Sequence, residues 1–330
     1  MAYISFQPND YFNTLLYTGN GSSGNAQTGI GFQPDWVWIK DRGQVAGHQI
    51  FDSVRGATKR IQSDSTGVEV TNDGVSSFDS DGFTLGANSS CNENSQNLVS
   101  WNWKANGSGS SNTDGDITST VSANTTSGFS IVSYTGNSTA GATIGHGLGV
   151  KPSMIITKQR SGDVAEPVVY HTSTGATKFF KLNETGAVIT NSTLWNDTEP
   201  TSTLFTVGTA AVSNASYPMI AYCFAEKKGF SKFGSYTGNG NADGTFIYTG
   251  FKPAMVIYKR SDGIEGWMIQ DNRRPGYNPM GGNLFPNNKI KWTKNKIKAD
   301  ELLAFTMDNY QKIYKQKYNV DVIYSNYDKD

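Results

Sequence analysis

The distribution of apolar and polar positions along the chain repeats. A short apolar strand runs into Tyr-Thr-Gly-Asn, a polar glycine-rich loop follows, and a proline then opens a nearly continuous apolar run that ends in lysine. The pattern occupies residues 17–40, 134–158 and 236–259. The first and third copies align without a gap: Tyr17 with Tyr236, Phe32 with Phe251, Pro34 with Pro253 and Lys40 with Lys259. Gly supplies the positive φ of a tight turn and Asn tolerates it. The proline cannot donate to a ladder and marks a strand entry. Within the apolar run, Trp36 and Trp38 fall on one face and Val37 and Ile39 on the other; the copies read MIIT at 154–157 and MVIY at 255–258. Apolarity on both faces over this length predicts a strand in the middle of a sheet that is itself packed on another sheet.

The first two copies stay in register further on. Residues 51–72 match 170–191, and each unit closes with a further apolar strand, LVSWNW at 98–103 and MIAYCF at 219–224. The alternation places Trp101 and Trp103, or Tyr222 and Phe224, on one face. Short strands with Gly or Asn-Asp turns predict an all-β chain. It is read as three tandem β-sandwich or jelly-roll-like units, the third incomplete, with a short helical C-terminal tail. The expected bounds are 1–107 for the first unit with its lead-in, 108–127 for a linker with one weak strand near 117–121, 128–228 for the second unit, and 229–330 for the third unit and tail. The third unit follows the template through Trp267 and Asp271, with Arg274 near the position of Arg55, and no closing aromatic strand is recognised after it. A lysine-rich run at 289–298 precedes a segment in which Leu303, Met307, Tyr310 and Tyr314 share a helical face. Val320 and Tyr324 bound a further apolar patch that could form an edge strand. An atypical end of this kind caps a repeat array.

Composition narrows the partners. Lys+Arg 28 balance Asp+Glu 28, so no general electrostatic attraction to nucleic acid is expected. No apolar run approaches the ~20 residues of a membrane-crossing helix, and membrane insertion is not expected. The two cysteines, Cys91 and Cys223, sit at non-equivalent positions and read as free thiols of a protein assembled in a reducing cytoplasm.

Candidate chemistry is sparse. His48, Asp52 and the adjacent Ser53 have the residue types of a hydrolytic triad. The equivalents of His48 and Asp52 are Pro167 and His171 in the second unit, and Trp267 and Asp271 in the third. Types that exchange within one scaffold read as surface positions, so no catalytic residue is assigned and the protein is expected not to be an enzyme. Asp79, Asp81 and Gly82, like Asn112, Asp114 and Asp116, lack a complete calcium loop and read as Asp-Gly turns, leaving no metal assigned. The run from Gly145 to Gly149 enters a strand instead of opening a helix, which argues against phosphate binding, and no cofactor is expected. Trp36, Trp38, Trp101 and Trp103 read as core. Trp195 and Trp292, outside the repeat, are the better candidates for exposed sugar-stacking contacts.

Taken together, YTGN, GFQPDWVWIKDR, IFDSVRGA, SFDSDGFTLG, NLVSWNWKA and GFSKFGSYTGNGNADG resemble repeat-containing, tail-fibre-like virion structural proteins of marine tailed bacteriophages. The resemblance covers about 17–271. It implies a non-enzymatic component of the virion, assembled in the bacterial cytoplasm and bound to other virion proteins. By analogy with fibres it also implies a homo-oligomer, a trimer, that contacts a host surface glycan or protein. A capsid decoration protein and a carbohydrate-binding or carbohydrate-active module are the alternative expectations. The loops that vary between copies, such as 21–30, are where a ligand contact is expected.

Overall fold

A computed structural model describes residues 6–162, 166–241, 243–274 and 283–290. The chain is all-β, with antiparallel sheets and, among the described residues, only single-turn helices. The expected tail helix and edge strand, and Trp292, lie outside the described residues.

The first large sheet orders its strands Phe12–Thr18, Asn97–Trp103, Trp36–Asp41, Gln49–Asp52, Gly56–Gln62 and Val70–Thr71. The second begins with Ser110–Asn112 and Ser119–Asn124. It then repeats the same order with Phe129–Thr135, Pro218–Phe224, Met154–Gln159, Val168–His171, Lys178–Lys181 and Ile189–Thr190. Residues 108–127, read from sequence as a linker with one weak strand, therefore supply two strands of that sheet. Their low apolarity suits a sheet edge, where backbone pairing can hold a strand that has little side chain to bury. From the third copy, Met255–Tyr258 and Met268–Asp271 form a separate hairpin.

The doubly apolar strand is central, as its composition requires. All six residues of Trp36–Asp41 are buried. Val37 and Ile39 face an inner core with Tyr17, Phe51, Phe83 and Leu98, roofed by the three-stranded sheet Asn25–Thr28, Gly82–Leu85 and Val75–Asp79. In the second copy Ile155 faces the equivalent core, under the pair Ala142–Gly145 and Leu204–Val207. Trp36 and Trp38 point the other way, into a cluster that all three copies share. Ile156, Phe180 and Tyr222 enter it from the second copy, and Trp267, Ile269 and Leu284 from the third.

In the first two copies the tyrosine, glycine and asparagine of the Tyr-Thr-Gly-Asn turn each dock it. Tyr17 donates its hydroxyl to the Cys91 carbonyl (2.8 Å), and Tyr134 donates to that of Ser213 (2.6 Å). Both acceptors lie in single-turn helices, Ser89–Asn92 and Ala211–Asn214, just before each closing strand. A Cβ on Gly19 would stand 2.2 Å from the Glu93 carbonyl oxygen, and one on Gly136 2.1 Å from that of Ala215, so only glycine lets the turn dock. The next residue completes the clamp: Asn20 N donates to Asn92 Oδ1 (2.9 Å) and Asn137 N to Asn214 Oδ1 (2.9 Å). The Asn92 amide reaches the carbonyls of Ser22 and Gly86, and the Asn214 amide those of Thr139 and Gly208. Both amides are fully buried.

Because truncating either amide strands several buried backbone groups, Asn92→Ala and Asn214→Ala are each expected to cost about 2–4 kcal/mol. A urea unfolding titration checks this; a loss below about 0.5 kcal/mol would show that the clamp contributes nothing.

Candidate functional site: a junction of buried charges

Asp52, Arg55, Asp271 and Arg274 lie where the three copies pack together. Gln49–Asp52 ends in a turn that places Asp52 beside Arg55. The Asp52 carboxylate accepts from the Arg55 backbone N–H (2.8 Å) and from its Nε, and both side chains are fully buried. Tyr222, from the second closing strand, donates its hydroxyl to Asp52 Oδ2 (2.7 Å). The third copy repeats the arrangement. Asp271 accepts from Arg274 N (3.0 Å) and Nε (2.6 Å), and Trp101 Nε1, from the first closing strand, donates to Asp271 Oδ2 (3.1 Å). Trp101 and Tyr222 are equivalent positions in the sequence. Each closing strand thus sends a polar aromatic into the Asp–Arg turn of another copy.

The two pairs differ in surroundings. Burial opposes the charge on Arg55, but Asp52, Tyr222 and Glu69 around it raise its pKa above the ordinary value. Burial instead lowers the pKa of Arg274, with Asp271 opposing the shift and Arg42 nearby adding to it. Glu69 also accepts a forked pair from Arg160, Nε at 2.9 Å and Nη2 at 3.2 Å, so one carboxylate bridges a buried and a half-buried guanidinium across two copies. The Arg160 hydrogen bond and the Arg55 charge outweigh the opposing effect of burial and draw the Glu69 carboxyl below its usual range.

The recurring lysine has a role here. Lys158 Nζ donates to the Ser65 carbonyl of the first copy (2.8 Å), and Lys259 Nζ to the Thr185 carbonyl of the second (3.2 Å). Lys40 Nζ donates to the carbonyl of Asp41 (2.6 Å). Burial pushes the Lys40 and Lys158 ammonium groups down to about 8.

These positions correct the surface assignment. His48, Asp52 and Asp271 are buried and His171 is half-buried. Their types exchange because each has different partners across the junction. His48 Nδ1 accepts from Trp38 Nε1 (2.8 Å), and its ring stacks on Trp101. Trp267, at the His48 position, donates Nε1 to the Lys181 carbonyl (2.9 Å). Burial, with Lys40 and Arg274 nearby, holds His48 well below its ordinary pKa and therefore neutral. Ser53 Oγ donates to the Gly107 carbonyl (2.6 Å) and lies beside the Asp35 carboxyl, and neither partner is His48. The three do not assemble a triad.

Trp195, expected to be exposed, is 2% exposed and packs edge-on against Tyr170. Its helical turn, Ser192–Trp195, folds under the second roof, where the amphipathic ring serves as core. Trp36, Trp38 and Trp101 are core, and Trp103 is partly buried against it. Asp81 accepts from the backbone N–H groups of Gly29 and Gly31, and Asp79 from Ser77 and Thr84, which ties a hairpin. Asp116 accepts from Thr143 in the same manner. His146 sits buried with Nε2 near the Thr201 carbonyl (3.3 Å). Both thiols are buried, and desolvation raises the pKa of each, Cys223 to about 12. Among the described residues no group of three or more His, Cys, Asp or Glu is placed to hold a metal. No helix among them is long and apolar enough to cross a membrane. An open polar recess of about 380 Å³ is lined by Asp41, Gln44, Arg60, Ser89, Glu93 and Lys289.

Sequence reading missed Tyr222, Arg55 and Glu69 as partners. The signal available was the pairing of an Asp and an Arg three residues later in the first and third copies, together with a closing-strand aromatic that carries a donor.

Two outcomes follow from this geometry. Asp52→Asn leaves Arg55 buried with only partial compensation, so a loss of about 3–5 kcal/mol is expected in chemical denaturation; an unchanged midpoint would show that the pair is dispensable. The lysines respond to pH. Their folded pKa lies below the unfolded value, so the unfolded chain holds more protons between about 8 and 10.5 and stability relative to a neutral replacement rises with pH across that window. Lys40→Met and Lys158→Met should therefore be most favourable relative to the natural chain below pH 8, and lose that advantage towards pH 10. Cysteine and tyrosine titrations are common to all the proteins and cancel in the difference. A pH-independent difference would contradict the assignment.

No curated protein and no solved structure matches the chain. A family model described as a domain of unknown function, DUF7483, matches residues 7–313. That span takes in the three copies and the first part of the segment beyond them, and on it the chain belongs to the DUF7483 family.

Proposed function

We propose that the chain is a non-enzymatic structural protein of a bacteriophage virion, a tail fibre or similar appendage for host attachment. It is built from three tandem β-sandwich units closed around one core. The observation that carries the reading is the use made of the buried charges. Asp52, Arg55, Asp271 and Lys158 tie side chains or backbone across the junction, and Arg274 holds Asp271 within its own turn, with none left facing a cleft beside a nucleophile. Several of the side-chain ties also follow one order, while backbone bonds such as Glu69 N to the Arg160 carbonyl and Val188 N to the Ser261 carbonyl run the other way. The second unit donates to the first through Tyr222 and Lys158, the third to the second through Lys259 and Trp267, and the first to the third through Trp101. Three units related in this head-to-tail way reproduce within one chain the closed ring that a trimeric fibre makes from three.

A stiff frame with polar loops on its outside suits a particle component that contacts other virion proteins through one surface and a host glycan or protein through another. Loop 21–30 is mostly exposed, and the strand behind it is not.

Immunogold electron microscopy of phage particles, with antibody raised to this chain, should label the tail. Label spread over the head would overturn the appendage in favour of a decoration protein, and unlabelled particles would overturn the virion assignment. Incubation with host surface polysaccharide should release no reducing ends; release would overturn the non-enzymatic assignment.

A further inference from the structure

The third unit is open where the first two are closed. In the first two, the central strand is flanked on both edges, by Asn97–Trp103 and Gln49–Asp52 around Trp36–Asp41, and by Pro218–Phe224 and Val168–His171 around Met154–Gln159. Among the described residues, Met255–Tyr258 pairs with Met268–Asp271 alone. Val256 is 43% exposed where its equivalents Val37 and Ile155 are 0%. The turn is undocked as well. Tyr236 is 44% exposed, and nothing lies within 4 Å of a Cβ on Gly238, whereas in the first two units that position is filled by backbone. Residues 230–236, which copy the lead-in strand, form no strand. A bare edge beside exposed apolar residues invites another strand.

We propose that the occupant is residues 295–307 of this same chain, with Asn295 clamping the third Tyr-Thr-Gly-Asn turn and LLAFTM at 302–307 pairing with the free edge of Met255–Tyr258. The segment aligns position by position with the strands that fill this place elsewhere. Leu302, Leu303, Ala304, Phe305, Thr306 and Met307 stand against LVSWNW and MIAYCF. As a strand it would turn Leu303, Phe305 and Met307 inward, as Val99, Trp101 and Trp103 or Ile220, Tyr222 and Phe224 are turned. Leu302, Ala304 and Thr306 would cover Val256, as Met219, Ala221 and Cys223 join the core around Ile155. Asn295 precedes Phe305 by ten positions, where Asn92 precedes Trp101 by nine and Asn214 precedes Tyr222 by eight.

The place awaiting the inward aromatic agrees. Trp101 and Tyr222 carry donors and meet Asp271–Arg274 and Asp52–Arg55. The remaining place in the ring is His171 with Thr174, which has neither carboxylate nor guanidinium and lies near Phe233, ring centroids 6.3 Å apart. Phe305 has no donor to satisfy, so both sides of the third contact have lost their polar half together. The family match, which runs to 313, includes the segment. A second copy of the chain could offer the same strand from outside, and the test separates the two.

The observed registers pair Val37 with Asn102 and Ile155 with Cys223, which sets Val256 opposite Thr306. In the full-length double variant Val256→Cys/Thr306→Cys, mild oxidation should give a disulfide within one chain, joining positions 256 and 306 in peptide mapping. Cys91 and Cys223 are buried and should not compete. The pair Val256→Cys/Asp308→Cys, two positions out of register, should yield at least about 10-fold less. Disulfide-linked dimers, or equal yields from both pairs, overturn the proposal. Hydrogen exchange on the unsubstituted chain supplies the second reading. Amides of 302–307 should exchange at least about 100-fold more slowly than an unstructured peptide. Fast exchange overturns the proposal, as does protection without the cross-link.

Discussion

Three sheets with two apolar faces each have to bury the second face on one another, and everything else at the centre of this molecule follows from that requirement. One face of the central strand in the first two copies is covered by a roof of its own. The other carries Trp36 and Trp38, or their equivalents, and has only the neighbouring copies to pack against. Apolar area drives the association but is indifferent to register and direction. Direction comes from the carboxylates. Asp52 and Asp271 are each paired with an arginine in the same turn, so neither ion pair depends on a neighbouring copy. What the neighbour must then supply is a single neutral donor. Tyr222 and Trp101 fit that need, and a sheet docked out of register would leave a buried carboxylate under-satisfied. Such pairs add little net stability over an apolar packing, and their effect is on which packing is chosen.

In the first two units the recurring turn does related work at the outer end. It is held on one side by a tyrosine hydroxyl and on the other by the amide of an asparagine from a helical turn just ahead of the closing strand. The loop after Asn20 is therefore anchored to the strand that carries Trp101 into the junction. Variation in loop 21–30 can proceed without disturbing the core, because the backbone groups that fix its ends are satisfied by Asn92 and not by the loop itself.

The roles of the recurring residues show how far pattern can be read. The alternation in DWVWIK was enough to place the strand in the middle of a sheet with both faces covered, since no other setting tolerates apolar side chains on both sides. The shared face of Trp101 and Trp103 was legible for the same reason. Trp195 was not, because a tryptophan outside any alternation carries no periodic signal of burial. Residues 108–127 misled in the opposite sense: backbone pairing at a sheet edge requires almost nothing of side-chain composition. His48, Asp52 and Asp271 looked like surface positions because exchange of residue type between copies is the usual mark of exposure. At a junction it is also the mark of partners that differ from copy to copy.

All-β class, the recurrence, the central strand and the closing aromatics are consequences of local spacing, and local spacing is written in the chain. Which faces are roofed and which are shared, and that Tyr222 meets Asp52 across 170 positions of sequence, depend on contacts between residues far apart along the chain. No period in the sequence encodes such a contact. It arises when sheets that are each complete locally are forced together by the apolar face that each has left over.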